Sequence, residues 1–336
     1  MRSLRPTPAT PDVPELPEVE SVRRGLRHWI TGARVTEARV LDPRILGTTS
    51  QRRIPPEAVD AFAEAVAGIS LRAPQRRGKF LWVPFDRPCG SGAQPQPPSS
   101  ALALHLGMSG QLRVHTAHEE LHRHTRAVLT LEPGHASAPA SGSPSGPPAA
   151  RGEGRLELRF LDQRIFGHIG VDDLVPDGPD SLPRHSSHIA RDPLDPHWDA
   201  EATARVVQRS RAALKSVLMD QTVVSGVGNI YADEALHRAG VHPQAVPSRL
   251  RISRIRRVLD ESRIVMLEAL AQGGTSFDAL YVHVNGDSGY FERSLRVYGR
   301  AGRPCGVCGE HVRRIVVGAR GTHFCPQCQR AQRLPR

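Results

Sequence analysis

The sequence predicts an α+β chain of two domains and a small terminal module. Three observations carry that expectation. Short alternating or apolar segments run from Ala33 to Asp162, the pattern of antiparallel strands. Helical periodicity takes over after Pro196. Four cysteines close the chain in two Cys-x2-Cys pairs, Cys305 with Cys308 and Cys325 with Cys328. A length of 336 residues agrees with about two domains at roughly 150 residues each.

Residues 1–13 are rich in Pro, Thr and Arg and show no periodicity, so they are expected to be disordered or untranslated. From Glu15 the pattern changes. ELPEVESVRRGLRHWI places Leu16, Val19, Val22, Leu26 and Ile30 on one helical stripe, with acids early and arginines late, as a helix dipole favours. Pro17 suits the first turn. The strand candidates are ARVTEARVL, GISLRAP, KFLWVPF, ALALHLGMSGQLRV, RAVLTLE and RLELRFLD. Two stretches rich in Pro, Gly, Ser and Ala, 86–100 and 132–154, read as flexible insertions at hairpin tips. The loose stretch 176–196 reads as an interdomain connection.

DAEATARVVQRSRAALKSVLMDQ then gives one or two helices, and NIYADEALHRAG another, stopped at Gly240. SRLRISRIRRVLDESRIVMLEALAQGG is a long helix ending at Gly273 and Gly274. VSGVGNIYADEA is a glycine-bearing turn into a helix N-terminus, whose backbone N–H groups suit a phosphate. We place the domains at 14–180 and 198–295, joined by a linker over 181–197, with the cysteine module at 296–330.

Net charge is +11 and pI about 10.4, which calls for a polyanionic partner, most often nucleic acid. Lysine supplies only two of the 45 basic residues, Lys79 and Lys215. Arginine stays protonated and is a rigid fork, whereas lysine can lose its proton and reach as a point charge. The arginine bias is that of GC-rich coding, and the two lysines either mark places where arginine does not serve or survive by chance. No run of about 18 apolar residues exists to span a membrane. The first residues lack the apolar core of a secretory signal, so a cytosolic protein is expected.

The C-x2-C-x16-C-x2-C array suits tetrahedral Zn²⁺ in a closed, structural site. Disulfides are the alternative, which a cytosolic setting disfavours. Cys89, alone in a Gly/Pro-rich stretch, reads as an incidental thiol. Between the pairs, EHVRRIVVGARGTHF reads as a basic hairpin with Arg320 near its tip, suited to gripping a duplex.

Two further stretches carry chemistry. PELPEVE begins at Pro14, whose nitrogen inside a chain is a tertiary amide. At a free N-terminus it is a secondary amine able to attack carbon and form an iminium, with Glu15 relaying protons. A Pro/Glu-rich helix start is the other reading. HLGMSG (105–110) and LDQRIFG (161–167) place Met108 in a Gly/Ser turn and Arg164 two residues from Phe166. They can enter a duplex as a wedge where a base has left the stack, or they can be core residues.

Taken in order, PELPEVE, QRRGKFLWV, HLGMSG, DQRIFG, LKSVLMDQTVVSGVGNIYADEAL, QGGTSF, SGYFERSLRVYGR and the cysteine module resemble bacterial formamidopyrimidine-DNA glycosylases, from Pro14 to about Arg330. The resemblance implies an N-terminal β-sandwich flanked by helices, a helix-two-turn-helix domain and a zinc-finger hairpin. It implies a base-excision repair enzyme that removes 8-oxoguanine and formamidopyrimidines from double-stranded DNA, then cuts the strand by β- and δ-elimination. Pro14 matches the attacking amine and Glu15 the acid/base beside it. Lys79 matches a lysine that touches the lesion's phosphate and assists elimination. Arg320 matches the hairpin arginine that grips phosphates beside the lesion. Met108, Arg164 and Phe166 match the residues that fill the gap, with Arg164 facing the orphaned cytosine. His122, Arg211, Lys215 and Asn229 match DNA contacts, Lys215 beside the phosphate backbone. Thr275 to Tyr290 matches a loop that covers the extruded base. Cys305, Cys308, Cys325 and Cys328 match the ligands of one structural zinc. A monomer in the bacterial cytoplasm, on nucleoid DNA, is the family expectation.

Three features depart from the pattern. Residues 1–13 block Pro14, and reading Val13 as a GUG start, with its initiator methionine removed, frees it. Ile165 stands where many relatives carry arginine. The two insertions are long and read as passive loops. Two rivals are a sister glycosylase of the endonuclease VIII type and, if Pro14 is blocked, a non-catalytic zinc-containing DNA-binding protein.

Overall fold

The structure, a computed structural model, describes residues 14–47, 54–88, 97–117, 119–133, 155–274 and 294–331. The extension 1–13, Cys89, most of both insertions and the loop Thr275 to Tyr290 lie outside the described residues.

Helix α1 spans Leu16–Ile30, with Pro17 in its first turn. Its backbone start is closed by Glu18, whose Oε2 accepts the Glu15 N–H at 2.9 Å. The expected stripe, Leu16, Val19, Val22, Leu26 and Ile30, is buried throughout. It does not face one core. Val19 to Ile30 pack into the core of the sheet domain, whereas Leu16 packs into that of the helical domain. One helix thus starts in one core and ends in the other.

The strands are β1 Arg34–Val40, β2 Ser70–Leu71, β3 Gln75–Arg77, β4 Phe80–Asp86, β5 Ser100–His105, β6 Gly110–Thr116, β7 Thr125–Glu132, β8 Leu156–Asp162, β9 His168–Asp177 and β10 Asp180–Pro183. Among the described residues they form one antiparallel path, β10-β9-β5-β4-β2-β1-β7-β8-β6, with β3 on β4. The two-residue β2 joins the halves, and side chains from both halves share one core. Strand β8 is buried along its whole length, so its sequence, LELRFLD, puts polar groups inside as well. Helix α2, Glu57–Val66, and strand β9 were not foreseen. Only Phe62 and Val66 of α2 are buried, too few for a readable stripe.

The linker proves ordered. Its first residues complete β10, paired to β9 from Asp180↔Asp177 to Pro183↔Leu174. Asp192 within it is 1% exposed and ion-paired with Arg76 at 2.8 Å, which is why this polar stretch does not stay loose.

The helical part holds α3 Ala200–Gln208, α4 Leu214–Leu218, α5 Asn229–Arg238 and α6 Ile252–Ala271. Asp199 caps α3 by accepting from Glu201 N and Ala202 N. Helix α5 stops as expected. Gly240 has φ +64°, its N–H donates to His237 O, and Val241 N–H donates to Leu236 O. The cysteine module carries strands β11 Arg313–Val317 and β12 Arg320–Phe324. Gly318 and Ala319 join them with φ of 55° and 60°, the two positive values of a type I′ turn.

Replacing Gly240 by Ala should cost about 1–2 kcal/mol of stability, from the left-handed backbone alone. The added Cβ meets nothing closer than the Cys328 carbonyl at 3.4 Å. Denaturant unfolding with an unchanged slope checks this.

Candidate active site

The N-terminal segment is docked onto the turn that begins α5. Glu15 is 2% exposed, and its Oε1 accepts the Ile230 N–H at 2.8 Å. The Tyr231 N–H points at its other oxygen from 3.5 Å. Glu18 Oε1 accepts the Tyr231 hydroxyl at 2.8 Å. Leu16 N–H donates to Gly226 O. The glycines of this turn are steric requirements. A Cβ on Gly228 would lie 2.2 Å from Glu15 Cδ, and one on Gly226 2.4 Å from Leu16 Cδ1. The helix N-terminus offered to a phosphate is therefore filled by a carboxylate of the protein itself. Positive helix ends stabilise either anion. Asn229 is half-buried here, with its Nδ2 donating to Tyr298 Oη at 3.2 Å. Pro14, next to Glu15, is buried at the same place.

Lys79 sits in the tight turn between β3 and β4. The turn presses on the same α5 entry, since a Cβ on Gly78 would meet Ser225 Cβ at 2.7 Å. Burial lowers the Lys79 pKa; the carboxylates of Glu15 and Glu18 oppose this, and the charge of Arg320 adds to it. The outcome is a lysine held below its ordinary value, so it gives up its proton more easily. Its turn is fixed from behind. Gly78 N–H donates to Asp192 Oδ2 at 2.8 Å, and Arg76 donates to Gly78 O and to Glu20. Burial would raise the Glu20 pKa, but hydrogen bonds and charge from Arg23 and Arg76 outweigh it and hold it at about 2.

Lys215 corrects an expectation. It is fully buried, not placed beside a phosphate backbone. Its Nζ lies 2.7 Å from Asp233 Oδ1 and donates to Thr322 Oγ1 at 2.8 Å. Asp233 Oδ2 accepts the His323 N–H at 2.7 Å. A buried ammonium needs a paired anion, and Asp233 on α5 supplies it. The lysine thereby ties α4 and α5 to β12, which begins at Arg320. Arg320 itself is exposed, and both lysines feel its charge.

The turn 107–109 and the loop 163–167 touch. A Cβ on Gly107 would lie 2.3 Å from the Phe166 carbonyl carbon. Met108, Arg164 and Phe166 are all partly exposed, and the Arg164 guanidinium lies 6.0 Å from the Phe166 ring centre. His122 is exposed beside His124, its pKa lowered by partial burial and by Arg113 and Arg123. Arg211 is exposed ahead of α4.

Cys305, Cys308, Cys325 and Cys328 are free thiols whose Sγ atoms all lie within 4.8 Å of one another. Tetrahedral zinc at about 2.3 Å from each sulfur sets S···S edges of about 3.8 Å. The Cys308–Cys325 and Cys305–Cys328 separations, 3.4 and 3.9 Å, bracket that value, so the group fits a metal ion. His237 Nε2 lies 3.4 Å from Cys305 Sγ.

Several acids that shape the site were missed. Glu18, Asp192, Asp233 and Glu234 are each at most 3% exposed. Glu234 accepts the N–H groups of Arg296, Val297 and Tyr298, pinning the chain that follows the undescribed loop. Acids repeated inside apolar helical stretches, as in LPEVE and YADEAL, were the available signal.

Replacing Lys215 by Met should destabilise the fold by about 3–5 kcal/mol, because Asp233 is left charged and unpaired. The salt dependence of duplex binding should keep its slope. A lost phosphate contact would lower that slope by about 0.9.

Three family models match the chain: the formamidopyrimidine-DNA glycosylase N-terminal domain over 13–169, the H2TH domain of the same enzymes over 189–279, and a zinc finger found in FPG and IleRS over 302–331. Formamidopyrimidine-DNA glycosylase of Thermobifida fusca (strain YX) is 47% identical over 311 residues, covering 92% of this chain and 95% of the relative. That of Nocardioides sp. (strain ATCC BAA-499 / JS614) is 45% identical over 317 residues, covering 94% of each. Among solved structures, the Lactococcus lactis Fpg complex with abasic-site DNA superposes with a TM-score of 0.72 at 26% identity, covering 95% of this chain and 100% of that one. The L. lactis complex with Fapy-dG DNA gives 0.71 at 26% identity, covering 94% and 100%. Sheet domain, helical domain and cysteine hairpin are thus each matched, in order and over nearly the full length of the relatives, and the chain belongs to the formamidopyrimidine-DNA glycosylase family.

Proposed function

We propose that the chain is a bifunctional DNA glycosylase and abasic-site lyase that removes oxidised purines from duplex DNA. One observation carries the reading. Glu15 is seated on α5 beside Pro14, within electrostatic reach of Lys79, which also feels Arg320.

The chemistry follows from these groups. A free Pro14 amine forms an N–C1′ bond as the C1′–N bond to the damaged base breaks. Loss of the amine proton and protonation of O4′ then break the C1′–O4′ bond, and the opened sugar carries an iminium, which acidifies the C2′ protons. Loss of one breaks the C3′–O bond, and a second elimination breaks the C5′–O bond. Covalent catalysis divides one hard cleavage into easier steps. Glu15 moves protons at the sugar, where its fixed carboxylate lies next to the amine. Lys79, with its lowered pKa, exchanges protons during elimination while touching the phosphate. Arg320 holds the adjoining phosphates as a fork. Met108, Arg164 and Phe166 fill the space left by the flipped nucleotide, which offsets an unstacking cost of a few kcal/mol. His122, Arg211 and Asn229 add DNA contacts.

The four cysteines hold one zinc ion, and with four thiolates no position is open to water, so its role is structural. The protein acts as a cytoplasmic monomer. No helix among the described residues is long and apolar enough to cross a membrane.

Borohydride trapping on an 8-oxoguanine:cytosine duplex tests the nucleophile. Protein beginning at Pro14 should form a covalent adduct, and protein retaining residues 1–13 should not. Adduct from neither form, with duplex binding intact, favours the non-catalytic zinc-containing reading. Separately, Glu15→Gln should abolish base excision while leaving duplex affinity nearly unchanged; full excision by this variant would remove Glu15 from the mechanism.

A further inference from the structure

Asp162 ends β8 and is 1% exposed. Its Oδ1 accepts the N–H groups of Arg164 and Ile165 at 3.0 and 2.9 Å. Its Oδ2 accepts those of Phe166 and Gly167 at 3.0 and 2.7 Å. Every backbone N–H from 164 to 167 thus converges on one carboxylate. The Ser109 hydroxyl also donates to Oδ1 and accepts the Arg164 N–H at 3.2 Å, which ties in the turn carrying Met108. Among the described residues no lysine or arginine is ion-paired with Asp162, and its carboxylate is held by the loop N–H groups together with the Ser109 hydroxyl.

The loop needs such a clamp. Ile165 has φ +55°, a left-handed conformation that β-branched residues resist. Gly107 and Gly167 leave no space for the loop to shift, since a Cβ on the second would lie 2.7 Å from His105 O.

We propose that Asp162 is a positioning residue for reading the base opposite the lesion: its carboxylate sets the 163–167 loop so that Arg164 and Phe166 enter the duplex as one rigid wedge. The inference rests on the reading of Arg164 and Phe166 as the gap-filling pair. A carboxylate is required. Four N–H groups and a hydroxyl point at it, and an amide in its place turns an NH₂ toward donors.

The test uses Asp162→Asn in the Pro14-initiated chain on three duplexes: 8-oxoguanine opposite cytosine, 8-oxoguanine opposite adenine, and a preformed abasic site. Single-turnover excision opposite cytosine should fall by about 100-fold, the scale of a misplaced positioning group. The preference for cytosine over adenine should collapse, and strand scission at the preformed abasic site should be nearly unchanged. Equal losses on all three duplexes would overturn the proposal in favour of a structural role. Arg164→Ala separates the two layers. If it erases the cytosine preference and Asp162→Asn does not, the clamp is wrong. If Arg164→Ala leaves the preference intact, the wedge reading fails and the clamp with it. Should Asp162→Asn not fold, Ser109→Ala decides: a reduced cytosine preference supports the proposal, and an unchanged one overturns it.

Discussion

A carboxylate seated on a helix N-terminus organises this molecule. Glu15 reaches the α5 backbone at Ile230, and almost every other feature of the site is arranged around that contact. Two glycines clear the space for it. Glu18 closes the start of α1 and also takes the Tyr231 hydroxyl, so it is aimed at the same turn. Leu16 completes the joint by packing into the helical core. The two domains therefore meet through the segment that carries Pro14 and Glu15.

The protein is strongly basic, yet buried acids do the positioning. Asp192 holds the Lys79 turn, Asp233 holds Lys215 and the zinc-hairpin strand, and Asp162 holds the wedge loop. Each has its charge balanced by backbone dipoles or by a buried cation, as a charge removed from water demands. The division is physical. Arginines left at the surface carry the positive charge that draws a polyanion, while acids inside fix the turns and strands around the site.

Much of this was readable. The α1 stripe, the strand-rich first half, the helical second half and the cysteine hairpin all appear where periodicity and spacing placed them. Four cysteines in paired spacing admit few geometries. The resemblance named Glu15, Lys79 and Arg320 together, and Lys79 feels the charges of both others. What escaped notice depended on partners far away in sequence. Lys215 looks like a surface cation until Asp233 and Thr322 close over it. The 181–197 stretch looks loose because its polar residues advertise solvent, whereas Asp192 is buried against Arg76. Strand β9, HIGVDDLVPD, carries two adjacent acids and a proline that hide its alternation. Local propensity is silent about such pairings.

The Glu15–Ile230 contact joins residues 215 positions apart. Translation runs from the N-terminus, so the segment carrying Pro14 and Glu15 is made early and acquires its seat only after two-thirds of the polypeptide has emerged. A nascent or prematurely terminated chain that stops before α5 holds Pro14 and Glu15 with nothing to align them. The alignment of Glu15 therefore waits on the synthesis of α5.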